Sequence, residues 1–211
     1  MRPATKAALV GAGVIVAGWV GWGIYSTRTT ETVPYERLRT VDGIELRRYP
    51  RTVLVETAAA NQRRAFRRLF AYISGANVST ESISMTAPVE TRGGTSVAMT
   101  APVRSRATDG DDDEVRMALY LPAEYTIETA PEPTEPGVEL ASEPPKTVAV
   151  DRFSWYAPEW RVERRARSLL STLEREGIER LGDPFLLRYN DPWTPPILRR
   201  NEVAVEVVHV D

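Results

Sequence analysis

Side chains that commonly carry chemistry are scarce in this chain of 211 residues. It has no cysteine and one histidine, His209, close to the C-terminus. Disulfides, thiol catalysis, iron–sulfur clusters, cysteine-type zinc sites and covalently attached c-type haem are therefore excluded. A histidine-rich metal site is excluded as well, and a histidine-based triad would have to use His209. Carboxylates remain: Glu36, Glu45, Glu56, Asp151 and Glu202 could pair for acid–base work, but their spacing does not tell whether they converge. Met85, Met99 and Met117 read first as core residues. The densest charge on a single short stretch is an arginine run, Arg63, Arg64, Arg67 and Arg68, in a chain with only two lysines. A formal net charge of −2 gives no basic surface for nucleic acid. With few nucleophiles and few proton shuttles, the composition points to binding rather than catalysis.

The elements that must position these residues follow from hydrophobic patterning. Ala7–Tyr25 runs without a charge, and Trp19, Trp22 and Tyr25 crowd its end. As a helix it would span about 28 Å, close to the hydrocarbon thickness of a bilayer. Residues 1–25 are therefore expected to form an uncleaved single-pass membrane anchor, with the lipid bilayer as partner. Arg2 and Lys6 against Arg28 place the N-terminus inside and the following domain on the extracytoplasmic side. Residues 26–34 form a polar linker, and one soluble domain spans 35–211.

Within that domain, Ile44–Tyr49 and Thr52–Thr57 read as strands around a Pro50-Arg51 turn. Asn61–Ser74 reads as a helix, with Phe66, Leu69, Phe70 and Ile73 as its buried face and Gly75 after its end. Glu114–Leu121 alternates like a half-buried strand. The acidic stretch 105–113 lacks the oxygen spacing of an EF-hand loop. Residues 122–145 hold six prolines and read as an extended crossing between two halves. Thr147–Phe153, a helix over Trp160–Glu176, and strands over Phe185–Tyr189 and Val203–Val208 complete an α+β domain of two similar halves.

An internal echo is the most specific feature. Met85–Val89 (MTAPV) recurs as Met99–Val103, and the proline in each copy predicts a sheet edge or a bulge. These paired segments resemble the SOUL haem-binding protein family. Further matches follow in that family's order: Tyr35-Glu36, Ile44–Pro50, Leu69–Asn77, Tyr120–Pro122, Pro131–Pro133, Val148–Val150, Phe153-Ser154, Tyr189–Pro196 and Arg199–Val203. The resemblance covers nearly all of residues 35–211. It implies a distorted antiparallel β-barrel of two βαββ-like halves with two flanking helices, preceded here by the transmembrane helix. It also implies reversible, non-covalent binding of haem or a related tetrapyrrole in a shallow apolar groove beside the first helix, for buffering, transfer or sensing.

A tetrapyrrole needs a broad apolar surface and cations for its propionates. In this sequence the expected partners are Arg63, Arg64, Arg67 and Arg68, with Tyr72 as an exposed aromatic for the ring. Some family members are proposed to use a histidine near the first helix; this chain has none there, so axial ligation is expected to be weak or absent and His209 to be a tail residue. The alternatives are a membrane-tethered interaction module, a binder of another flat apolar ligand, and an enzyme removing metal from porphyrin.

Overall fold

The computed structural model describes residues 19, 21–22, 32–78, 97, 100–107, 115–190 and 193–208. The first MTAPV copy, Met99, His209 and nearly all of the apolar stretch Ala7–Tyr25 lie outside the described residues. Among the described residues, no helix is long and apolar enough to cross a membrane.

Strands β1 (Glu36–Val41) and β2 (Ile44–Tyr49) form a hairpin over Asp42-Gly43, both at positive φ, as a tight two-residue hairpin requires. Then come β3 (Thr52–Ala59), helix α1 (Gln62–Ile73), β4 (Asn77–Val78), β5 (Thr100–Ala107) and β6 (Val115–Tyr120). Next are β7 (Glu132–Pro133), β8 (Val138–Glu143), β9 (Lys146–Phe153), helix α2 (Glu159–Arg175), β10 (Phe185–Arg188) and β11 (Asn201–Val207). Among the described residues, nine strands make one antiparallel sheet in the order β1-β2-β9-β11-β10-β5-β6-β3-β8, while β4 pairs with β7.

Apart from β1, the order is symmetric about the junction of β10 with β5. The unit β3-α1-β5-β6, extended by β8, is matched by β9-α2-β10-β11, extended by β2. The two meet where Leu186–Arg188 of β10 pairs with Val103–Ser105 of β5. Two βαββ-like halves are thus present, but the expected barrel is not closed. Among the described residues, its outer strands, β1 and β8, each have one partner in the sheet, β2 and β3. β1 is largely exposed and carries Glu36, Arg37 and Arg39, charges that protect an open edge from further pairing.

Strand period 2 divides the core into layers. On one side of the sheet, α1 covers Val55, Met117 and Leu119, and α2 covers Leu46, Ala149, Val203 and Val205. On the other side, Leu54, Tyr120, Val148, Val150, Phe185, Leu187 and Ala204 form a third cluster. The central strands therefore bury both faces, which is why β6 is not the half-buried strand its alternation suggests: Met117, Ala118, Leu119 and Tyr120 are all buried.

The proline stretch contains β8, which pairs along β3 from Thr57↔Val138 to Thr52↔Glu143. The second MTAPV copy lies in β5 at an irregularity between Thr100 and Val103. This agrees with the bulge expected from its proline. At that bulge the Ala101 carbonyl accepts the Val33 N–H at 3.0 Å, so the segment entering the domain is strapped onto β5.

Candidate functional site

Helix α1 begins at Asn61, whose side-chain oxygen accepts the Arg64 N–H at 2.9 Å, satisfying one of the helix's open donors. Its buried residues are Ala65, Leu69, Tyr72 and Ile73. The helix is therefore rotated relative to the sequence-based expectation: Leu69 and Ile73 do face the core, but Phe66 and Phe70 turn outward. They are 37% and 48% exposed, and their rings stack at 5.9 Å between centroids. Two stripes satisfy helical spacing here, and they share Leu69 and Ile73. The packing of Tyr72 decides between them, because its hydroxyl has a partner inside.

Tyr72 is consequently not an exposed aromatic for a ligand. It is fully buried and donates to the Pro131 carbonyl at 2.8 Å, while burial pushes its hydroxyl well above the ordinary tyrosine range. Arg68 is also committed, since its guanidinium donates to the Ala58 carbonyl at 3.1 Å. Arg63 and Arg67 are exposed and stand three residues before Phe66 and Phe70, on the same flank of the helix. Arg64 is exposed on the opposite flank. The structure thus brings together Phe66, Phe70, Arg63 and Arg67, and separates Tyr72 and Arg68 from them. This patch offers two part-exposed aromatic rings with two cations beside them.

The far side of the sheet holds a different arrangement. Glu202 on β11 is completely buried and receives Arg47 in a two-pronged contact at 2.8 and 3.0 Å. Arg200 Nε donates to the same carboxylate at 2.8 Å, and the Tyr189 hydroxyl at 2.7 Å. Burial alone would raise the Glu202 carboxyl; the hydrogen bond from Arg47 and the charges of Arg200 and Arg47 outweigh it and hold it below the usual glutamate range. Arg47 also contacts Glu45 and lies over the Tyr35 ring at 4.3 Å. Of the carboxylates considered for acid–base work, Glu45 and Glu202 therefore meet, but through a shared guanidinium. Asp151 pairs with Arg165 instead. Every acceptor in the Glu202 cluster is matched to a cation, an arrangement that holds strands together.

A second polar group on that side joins Glu143 to Arg104 and Lys146. The void beside it, lined by Val33, Tyr49, Tyr120, Lys146, Phe185 and Leu187, measures only about 10 Å³, the room of a single water. A flat macrocycle has no place there.

A family profile described as SOUL heme-binding protein matches residues 30–206. The chain belongs to the SOUL haem-binding family. No curated protein matches it. Among solved structures, the SOUL chain is similar to the EcmrR C-terminal domain at 10% identity and a TM-score of 0.53, covering 83% of this chain and 99% of that one. A hydrolase from Listeria innocua is similar at 13% identity and a TM-score of 0.51, covering 85% and 94%. At such identities these likenesses describe the fold alone.

The outer face of α1 in this SOUL domain fits the organic part of a tetrapyrrole better than its metal. Stacked phenylalanines suit the ring, and arginines suit carboxylates. Helix α1 carries no histidine, cysteine or methionine, and its one tyrosine hydroxyl is turned inward. Among the described residues, no cluster of histidine, cysteine or acidic side chains could hold a metal ion.

Proposed function

We propose that the domain binds haem or a related tetrapyrrole non-covalently on the outer face of α1, with the ring against Phe66 and Phe70 and the propionates toward Arg63 and Arg67. Family membership supports the ligand class. The observation that carries the location is the exposed, stacked phenylalanine pair. Burying such rings is favourable for any flat apolar ligand, and nearby guanidinium groups select one with acidic substituents. The grip is shallow and largely hydrophobic, with weak or absent axial ligation, as suits buffering, transfer or sensing.

Titrating the detergent-solubilised full chain with hemin tests this. Saturable quenching of tryptophan and a shifted Soret band at micromolar hemin are expected. Neither would appear if the reading is wrong. Reversing Arg63 and Arg67 to glutamate should weaken hemin binding roughly tenfold at low salt, the worth of about 1.4 kcal/mol. The same reversal should leave the affinity for a propionate-esterified porphyrin unchanged.

The Ala7–Tyr25 stretch, in this reading, anchors the chain and holds the domain on the extracytoplasmic side. Its length, its lack of charge and its terminal aromatics support this. Because the chain has no native cysteine, one introduced at exposed Glu135 gives a clean reporter. In intact cells a membrane-impermeant maleimide should label it without permeabilisation; labelling only after lysis would reverse the orientation.

A further inference from the structure

All five tryptophans of the chain fall among the described residues, and none is in the core: their exposures range from 46% to 76%. Tryptophan is ordinarily well covered in a folded domain, so five exposed rings call for a reason. Three belong to the domain proper. Trp155 and Trp160 flank the start of α2, and Trp193 lies in the loop before β11.

The two segments are stitched together. The Trp155 N–H donates to the Pro196 carbonyl at 2.9 Å, and Asn201 Nδ2 donates to the Trp155 carbonyl at 2.8 Å. The Arg199 guanidinium lies over the Tyr156 ring at 4.6 Å, and its Nε donates to the Thr194 carbonyl. Tyr156 and Ile197 add further exposed apolar surface. Arg164, four residues after Trp160, is exposed on the same side of α2.

We propose that Trp155, Tyr156, Trp160, Trp193 and Ile197 form a surface that seats in the headgroup region of a phospholipid bilayer. Aromatic rings with polar edges, bordered by arginine, are the composition favoured at that depth. The end of the apolar N-terminal stretch meets this surface directly, since Trp19 Nε1 donates to the Trp193 carbonyl at 2.7 Å. In water the uncharged stretch that ends at this surface would leave apolar side chains wet; a bilayer covers them and the tryptophan surface together. The proposal rests on the membrane anchorage proposed above.

The test uses the full chain with Trp19→Phe and Trp22→Phe, so that only the three domain tryptophans emit. It is reconstituted into vesicles of phosphatidylcholine and phosphatidylglycerol, with part of the phosphatidylcholine brominated either near the headgroup end or near the tail end of its chains. The expected result is emission quenched more strongly by the shallow bromine, with the quenched amplitude reduced in Trp155→Phe, Trp160→Phe and Trp193→Phe. A chain that floats with the vesicles but is quenched by neither lipid overturns the proposal and leaves the anchor standing. Unquenched emission together with cross-linked dimers overturns it in favour of a second copy on this surface. A chain that fails to float overturns the anchorage and the proposal with it.

Discussion

Replacing Arg47 by methionine is expected to destabilise the domain by about 3–5 kcal/mol, read as a shift in the urea or thermal transition of the full chain in detergent. The substitution preserves most of the side-chain volume and strips the positive charge from a carboxylate that has no access to water. Glu202 would keep Arg200 and Tyr189 but lose its two-pronged partner. The double variant Arg47→Met/Glu202→Leu should recover part of the loss, because removing both charges removes the desolvation cost with the attraction, while Arg200 and Tyr189 lose their acceptor. If the single variant costs under about 1 kcal/mol, the cluster is not the brace described here.

The same cluster makes stability depend on pH. The Glu202 carboxyl titrates lower in the folded chain than in the unfolded one. Its contribution is therefore complete above the unfolded value of about 4.3 and is lost as pH falls through the lower folded value. Part of the acid-side destabilisation of the native chain should be missing from Arg47→Met/Glu202→Leu.

The largest effect on ligand binding is expected from Phe66→Ala combined with Phe70→Ala. Losing both rings should weaken hemin at least tenfold, given about 0.5–1.5 kcal/mol for each aromatic stack beyond the area it covers. Each ring is about half covered and stacks on the other, so the unfolding transition should also move, by about 1–2 kcal/mol, and is read separately from hemin affinity. Tyr72→Phe is the contrasting control. It removes the hydrogen bond to Pro131 and should cost about 1 kcal/mol of stability while leaving hemin affinity unaltered. A Tyr72→Phe variant that lost hemin and kept its stability would return the ring site to Tyr72.

These contrasts reflect how the sequence could and could not be read. The two halves were legible because the helices lie between strands in a repeating order and because the motifs span the whole domain. The MTAPV proline marked a bulge, since a residue without an N–H must interrupt a ladder. The phase of α1 was not legible. A 12-residue helix offered two apolar stripes with Leu69 and Ile73 in common, and the choice depended on the Pro131 carbonyl, 59 residues away. Strand β8 was hidden among prolines, because Val138 and Leu140 make a short signal beside so many turn residues. Barrel closure depends on whether two distant edges meet, which no local pattern encodes. The Glu202 cluster joins β2 to β11 across 155 residues, and its clue was indirect: charged residues, Arg47 and Glu202, at positions where apolar neighbours demanded burial.

The meeting of β5 and β10 is the shortest ladder inside the nine-stranded sheet, confined to Val103–Ser105 against Leu186–Arg188. Each side of it is braced by longer ladders and by its own helix. The third core cluster bridges that junction on the far side of the sheet, where Leu54 and Tyr120 of one half pack with Val148, Val150 and Phe185 of the other. The Val33 strap fastens to Ala101, on β5 beside that junction, so tension arriving through the linker enters where the two halves of the sheet meet.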